Sequence, residues 1–346
     1  MVLVLGVSSG ASGARAILAH SDQPHRTPID RCVVPRRPGA CVGEPVRWAI
    51  ETMRKAAVQR GELITAIAVT YRSEVHADAI RATGITQGPT PTILVKESTA
   101  QLRYLRFIGE LPKSGSVVLY DLGSSGLTIT LADCVSGTVL RSRRSTVLGG
   151  DEYDGQVQRR LAHSGIHADT ATCRGYKESL SAKKVATVSN KGGGNRIVLT
   201  RNDLAILQQP GIHHSVSFVR QLMDDATTPP EAIELLGGPA HNPLVKDWLE
   251  SSLRIPVLVE RDPELVSARG AVVLADEGPA RLIRASRGLP RPRPSRRKLV
   301  AAFAVTAVLT GTIAGLVVTA EQAADPNQGG STPSTFEIAR IPDNPW

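Results

Sequence analysis

The sequence predicts an α/β protein made of two similar half-domains, and three observations carry that expectation. Two strand–turn–strand units of the same kind lie far apart in the chain. One runs Val2-Leu3-Val4-Leu5-Gly6-Val7, then Ser8-Ser9-Gly10-Ala11-Ser12-Gly13, then Ala14-Arg15-Ala16-Ile17-Leu18. The other runs Val117-Val118-Leu119-Tyr120-Asp121-Leu122-Gly123-Ser124-Ser125-Gly126 and continues as an apolar run over 127–131. Next, strand-like runs (63–69, 91–95, 117–120, 232–236, 256–259) alternate with helical stretches (45–59, 74–82, 99–108, 151–161, 204–223, 243–253), the rhythm of sheets covered by helices. Last, aromatic residues are only 3% of the chain, so the core must be built from Val, Leu, Ile and Ala.

Each hairpin brings small residues to a turn, where backbone N–H groups can approach a phosphate. In the second, Asp121 keeps an acid within reach of a metal or water. Small residues also make ordinary tight turns, so neither hairpin is decisive by itself. Two of them suggest two half-domains facing one ligand, and 346 residues are enough for two domains or one large two-lobed domain.

Between and after the hairpins come further local signals. Leu148-Gly149-Gly150-Asp151-Glu152 sets a glycine pair before a helix, either a phosphate-facing helix start or a plain capped one. Leu235-Leu236-Gly237-Gly238-Pro239 ends a strand on two glycines, where a base or sugar can lie against backbone, or where the chain simply turns into the helix opened by Asn242-Pro243. Lys177 and Ser181 are four apart and share a helical face.

The net charge of +9 hints at nucleic acid until it is located. Eight basic residues and no acid fall between Arg281 and Lys298, which leaves the rest of the chain at +1 and excludes a broad basic surface. Cys32, Cys41, Cys134 and Cys173 lack zinc-site spacing and are expected to be free thiols in a reducing compartment. Residues 299–320 carry no charge and as a helix would extend roughly 33 Å, enough for a bilayer core of ~30 Å. With the cations before it, that segment predicts a single-pass inner- or plasma-membrane protein whose main domain is cytoplasmic. Gly311 and Gly315 within it are four apart. The expected organisation is therefore a globular part over 1–280, an Arg/Pro-rich linker over 281–298, the span, and a disordered outer tail over 321–346.

Taken together these segments resemble the actin-like ATPase fold, a duplicated two-lobed ribonuclease H-like architecture, and specifically the nucleotide-binding domain of the DnaK-type heat-shock chaperones. The resemblance covers about residues 2–276. It rests on the first hairpin, the stretch 67–80, Val95-Lys96-Glu97-Ser98-Thr99-Ala100, the second hairpin, Leu148 to Asp154, Lys177-Glu178-Ser179-Leu180-Ser181, Gly237 to Pro243, and Arg261-Asp262-Pro263-Glu264 followed by Ala268-Arg269-Gly270. It implies ATP or ADP with Mg2+ as cofactor, Glu97 and Asp121 as catalytic positions, and Asp121 in the magnesium shell through water. It implies phosphate contacts at Gly10, Ala11, Ser12, Gly123, Ser124, Ser125 and Gly126, with Gly149 and Gly150 near them. Lys177, Ser181, Gly237, Gly238 and His241 would flank adenosine.

The departures carry equal weight. The family's first-hairpin aspartate is Ser8 and its threonine is Ala11. The second hairpin's threonine is Gly126, and the acid two further on is Thr128. On the adenosine side an acid becomes Arg174 and the stacking arginine becomes His241. Only residues 21–44 stand where the family holds a subdomain with its catalytic lysine. Losing one preorganised charge-stabilising group typically costs ~10²–10³ in rate, so the resemblance implies nucleotide binding with weak or no hydrolysis. The expected role is a scaffold or regulatory module for protein partners in an envelope or secretion complex. The alternatives are a slow chaperone-like ATPase and an actin-like membrane anchor.

Overall fold

The computed structural model describes residues 2–190, 196–224, 226 and 228–287. β1 (Leu3–Gly10) and β2 (Gly13–His20) are buried almost throughout, which is why they read as continuous apolar runs rather than as alternation. β3 (Asp30–Pro35) alternates half-buried and exposed residues, as befits an edge. α1 (Gly43–Gln59) lays Val46, Ala49, Ile50 and Met53 against Leu3, Leu5 and Val7. β4 (Ala66–Tyr71), α2 (Glu74–Arg81), β5 (Thr92–Lys96) and α3 (Glu97–Ile108) complete this lobe. Its sheet runs β3-β2-β1-β4-β5, antiparallel through the first three strands and parallel from β1 onward.

The second lobe repeats that topology. β6 (Ser116–Leu122), β7 (Leu127–Asp133) and β8 (Thr138–Ser145) form the antiparallel meander. Next come α4 (Gly150–His163), α5 (Thr170–Ala182), the paired β9 (Val185–Ser189) and β10 (Arg196–Thr200), and α6 (Arg201–Asp224). β11 (Pro230–Leu236), α7 (Pro243–Leu253), β12 (Val257–Val259) and α8 (Val266–Arg287) finish the described chain. The sheet order β12-β11-β6-β7-β8 is that of the first sheet read from the other edge, with β11 and β12 parallel to β6.

The two halves differ between the third strand and the helix that covers the sheet. The first lobe crosses that gap with residues 36–42. The second inserts α4, α5, β9 and β10, which enclose a core of their own around Val157, Leu161, Cys173, Leu180 and Val188. Residues 21–44 thus hold β3 and its connections.

Two helices tie the lobes together by exchange. α3 leaves the first sheet yet buries Leu102, Tyr104 and Leu105 against Val117 and Leu119 of the second. α8 leaves the second sheet yet buries Ala268, Ala271 and Val272 against Val4, Ile17 and Ala68 of the first. They cross at Gly270, where a Cβ would overlap the Ala100 carbonyl, and α8 reaches β1 at Gly6, where a Cβ would overlap the Ala268 carbonyl. Residues 1–286 fall into one compact unit, so the boundary expected at 280 lies within α8.

The expected single-pass membrane location is corrected. No helix among the described residues is long and apolar enough to cross a membrane. The segment behind that expectation, 299–320, lies outside the described residues, as do the 288–298 part of the linker and the tail over 321–346.

Candidate functional site

Both hairpin tips and the carboxyl ends of the parallel strands open on one cleft of about 700 Å³. That is where open α/β sheets present side chains and loops to ligands. Gly10, Ala11, Ser12, Gly123 and Ser124 line it, as do Glu97 and Asp121. So do Gly150, Lys177, Ser181, Gly237, Gly238 and His241. Ser125, Gly126 and Gly149 are not on the cleft wall.

The two tips are built alike. Gly10 pairs with Gly13 across a two-residue turn, and Leu122 pairs with Leu127 across a four-residue loop closed by Gly123 N–H donating to the Gly126 carbonyl at 2.9 Å. Gly13 and Gly126 open the return strands at φ +142° and +154°, each facing the backbone of its third strand where a Cβ would overlap a carbonyl. Among the described residues the backbone N–H groups of Ala11, Ser12, Ser124 and Ser125 donate to no backbone acceptor. The Ser9 hydroxyl, on the cleft wall and 1% exposed, has no partner among them either. Such groups suit an anion.

The start of α4 resolves the choice between a phosphate-facing and a capped helix. Gly150 N–H donates to the Gly123 carbonyl at 2.9 Å and Asp151 N–H to that of Ser124 at 2.8 Å. These two donors are therefore spent on the second tip, and Gly149 packs its Cα against that loop where a Cβ would come 2.6 Å from the Ser124 oxygen. The glycine pair braces the tip.

Lys177 donates to the Gly150 carbonyl at 2.8 Å and pairs with Asp154 Oδ1 at 2.5 Å. Arg174 bonds Asp154 Oδ2 at 2.9 Å and Asp151 at 2.8 Å. The Asp154 side chain has no exposed surface and pairs with both cleft-side cations, and Asp151 supplies the second negative charge. Also lining the cleft, His241 Nε2 lies 2.7 Å from Glu264 Oε2, and Asn242 caps α7 while its amide reaches Gln208 at 2.7 Å.

Behind the tips lies a layer of acids that is closed on itself. Arg72, directly after β4, donates Nε to Glu97 Oε2 at 3.2 Å, and both side chains are about nine-tenths buried. Ser267 of α8 donates to Glu97 Oε1 at 3.3 Å. Gln101 of α3 donates to Asp121 Oδ2 at 2.8 Å and to Ser267 at 3.0 Å. Burial first, and then the Asp121 charge, push the Glu97 carboxyl above the ordinary range while Arg72 pulls the other way. Burial works to lower the Arg72 pKa, but Glu97 and Asp121 hold it above its usual value.

Sequence reasoning missed Arg72, Gln101 and Ser267 as members of this layer. Arg72 had a usable signal, its place one residue past a parallel strand. The Gln101–Ser267 contact joins residues 166 apart and had none. Direct coordination of magnesium does not fit the acids as they stand. Glu97 is taken by a cation and a hydroxyl, Asp121 by an amide, and the described residues hold no group of three or more His, Cys, Asp or Glu able to bind a metal.

No family model matches the chain. Curated proteins do resemble it in part. The Chaperone protein HscA homolog of Burkholderia thailandensis is 29% identical over 181 residues, which cover 47% of this chain and 29% of that protein. Homologs of the same name from Burkholderia pseudomallei and Burkholderia mallei match over the same shares at the same identity. These distant relatives support a DnaK-like nucleotide-binding domain. The two-sheet α/β fold is consistent with an actin-like ATPase. The match spans less than a third of the relatives' length, and nothing in it supports the single-pass membrane location corrected above.

Proposed function

We propose that this chain is a degenerate DnaK-like domain that binds ATP or ADP in the cleft between its lobes, turns it over weakly or not at all, and serves protein partners as a scaffold or regulatory module. The observation that carries the reading is the acid layer: the two carboxylates expected to order water and metal are both engaged by Arg72, Ser267 and Gln101. Phosphoryl transfer is almost wholly positioning and charge stabilisation, so occupied carboxylates remove most of what the protein would contribute. Binding has separate support in the free amides of the two tips and in the bare backbone at Gly237 and Gly238 beside Asn242. Gly237 sits at φ +88° with a Cβ position 3.0 Å from Asp121 Oδ1, so this strand end has no room for a side chain.

A thermal-unfolding titration of the full chain with ATP and with ADP, run beside a phosphate-release assay, tests this. A ligand at ~100 times its dissociation constant stabilises by ~2.7 kcal/mol, a shift of a few degrees for a domain this size. The expected result is that shift with phosphate release at background. Release abolished by Glu97→Ala would make the protein an ATPase instead, and no shift at millimolar nucleotide would remove the nucleotide from the account.

A further inference from the structure

The acid layer and the second tip share a neighbour. Arg72 Nη2 lies 3.6 Å from the position a Cβ would take on Gly123, so the guanidinium edge that pairs with Glu97 also stands beside the loop at 123–126. Arg144 of β8 donates to the Ser125 hydroxyl at 2.9 Å and to the Ser125 carbonyl at 3.3 Å. Two arginines, one from each lobe, thus stand at the loop 123–126. A divalent cation beside the same loop would meet that positive charge while finding both carboxylates engaged.

We propose that the cleft takes its nucleoside triphosphate without a divalent cation, the Arg72 guanidinium supplying the positive charge beside the second hairpin tip. The inference rests on the nucleotide reading above and adds how the charge of the phosphates is met. Arg72 is suited to this task because its guanidinium is always charged and its planar fork can hold a carboxylate and a phosphate oxygen together. Glu97 fixes it in place, and Ser267 and Gln101 fix Glu97 and Asp121 in turn.

Calorimetric titration of ATP into the full chain, once with excess EDTA and once with millimolar Mg2+, decides the matter. The expected dissociation constants agree within about threefold, a difference worth under ~1 kcal/mol. Binding that weakens more than tenfold in EDTA overturns the inference and leaves the nucleotide reading standing. Absence of binding in both conditions overturns both. Arg72→Ala is expected to lose at least tenfold in EDTA and to regain affinity with Mg2+ as the acid pair is freed, whereas Arg72→Lys, which keeps the charge but not the planar fork, loses less than Arg72→Ala in EDTA. Should Arg72→Ala fold poorly because Glu97 is left buried and unpaired, Arg72→Ala with Glu97→Gln removes that charge and keeps the EDTA test. Wild-type affinity in EDTA for either alanine variant also overturns the role of Arg72.

Discussion

At Asp154 a carboxylate without exposed surface holds Lys177 and Arg174 together, while Asp151, one turn earlier, holds only Arg174 in the open. Breaking a buried pair by removing one partner leaves uncompensated charge and costs about 3–5 kcal/mol, whereas exposed pairs are worth ~0–1. Asp154→Ala is therefore expected to lower the unfolding free energy by about 3 kcal/mol, since its cations are partly solvated, and Asp151→Ala by under ~1, both measured by urea unfolding. The site was legible here by halves. The shared face of Lys177 and Ser181 follows from helical spacing, and both line the cleft. Arg174 stood out only as a cation in place of an acid. Its pairing with Asp151 and Asp154, 23 and 20 residues away in the chain, needs the packing of α5 on α4.

Among the elements, β11 and the α3–α8 crossing make the sharpest claims. Glu234 of β11 is 1% exposed, and burial, helped by Glu110 and Glu260, raises its pKa from an ordinary 4.5 to about 8. Below 4.5 the folded and unfolded chains are both protonated there. Between 4.5 and 8 the unfolded chain releases the proton and the folded one keeps it, so stability falls with rising pH, by up to about 1.4 kcal/mol per unit. Glu234→Gln is expected to flatten that slope and to be the more stable protein at pH 8, as read from melting temperatures across pH. At the crossing, Gly270→Val would drive a branched side chain into the Ala100 backbone and is expected to cost at least about 3 kcal/mol or to prevent folding, checked by circular dichroism and urea unfolding. Most elements were readable from periodicity, with α1, α2, α6 and α7 falling within a few residues of expectation. The strands that escaped notice were edges: β8 carries Arg141, Arg143 and Arg144 and is exposed along nearly its whole length, so no buried face imprints a pattern on it.

Across the whole molecule, duplication is the feature that the sequence shows best and exploits most. Two small-residue hairpins in a 346-residue chain foretold two lobes, and the strand orders of the two sheets coincide. Unreadable was how the lobes lock: α3 and α8 each cover the other lobe's sheet, and they bond each other through Glu97 and Ser267, 170 residues apart. An insertion in the second half only, with Arg72 pairing Glu97 in the acid layer, supports the proposal of a cleft that binds nucleotide and turns it over weakly or not at all. The most direct test mixes stoichiometric ATP with the full chain, measures binding by calorimetry, and then recovers the nucleotide by chromatography. The account predicts one ATP bound per chain and recovered intact after hours. Conversion to ADP that Glu97→Ala or Asp121→Ala abolishes, or no binding at millimolar ATP, would contradict it.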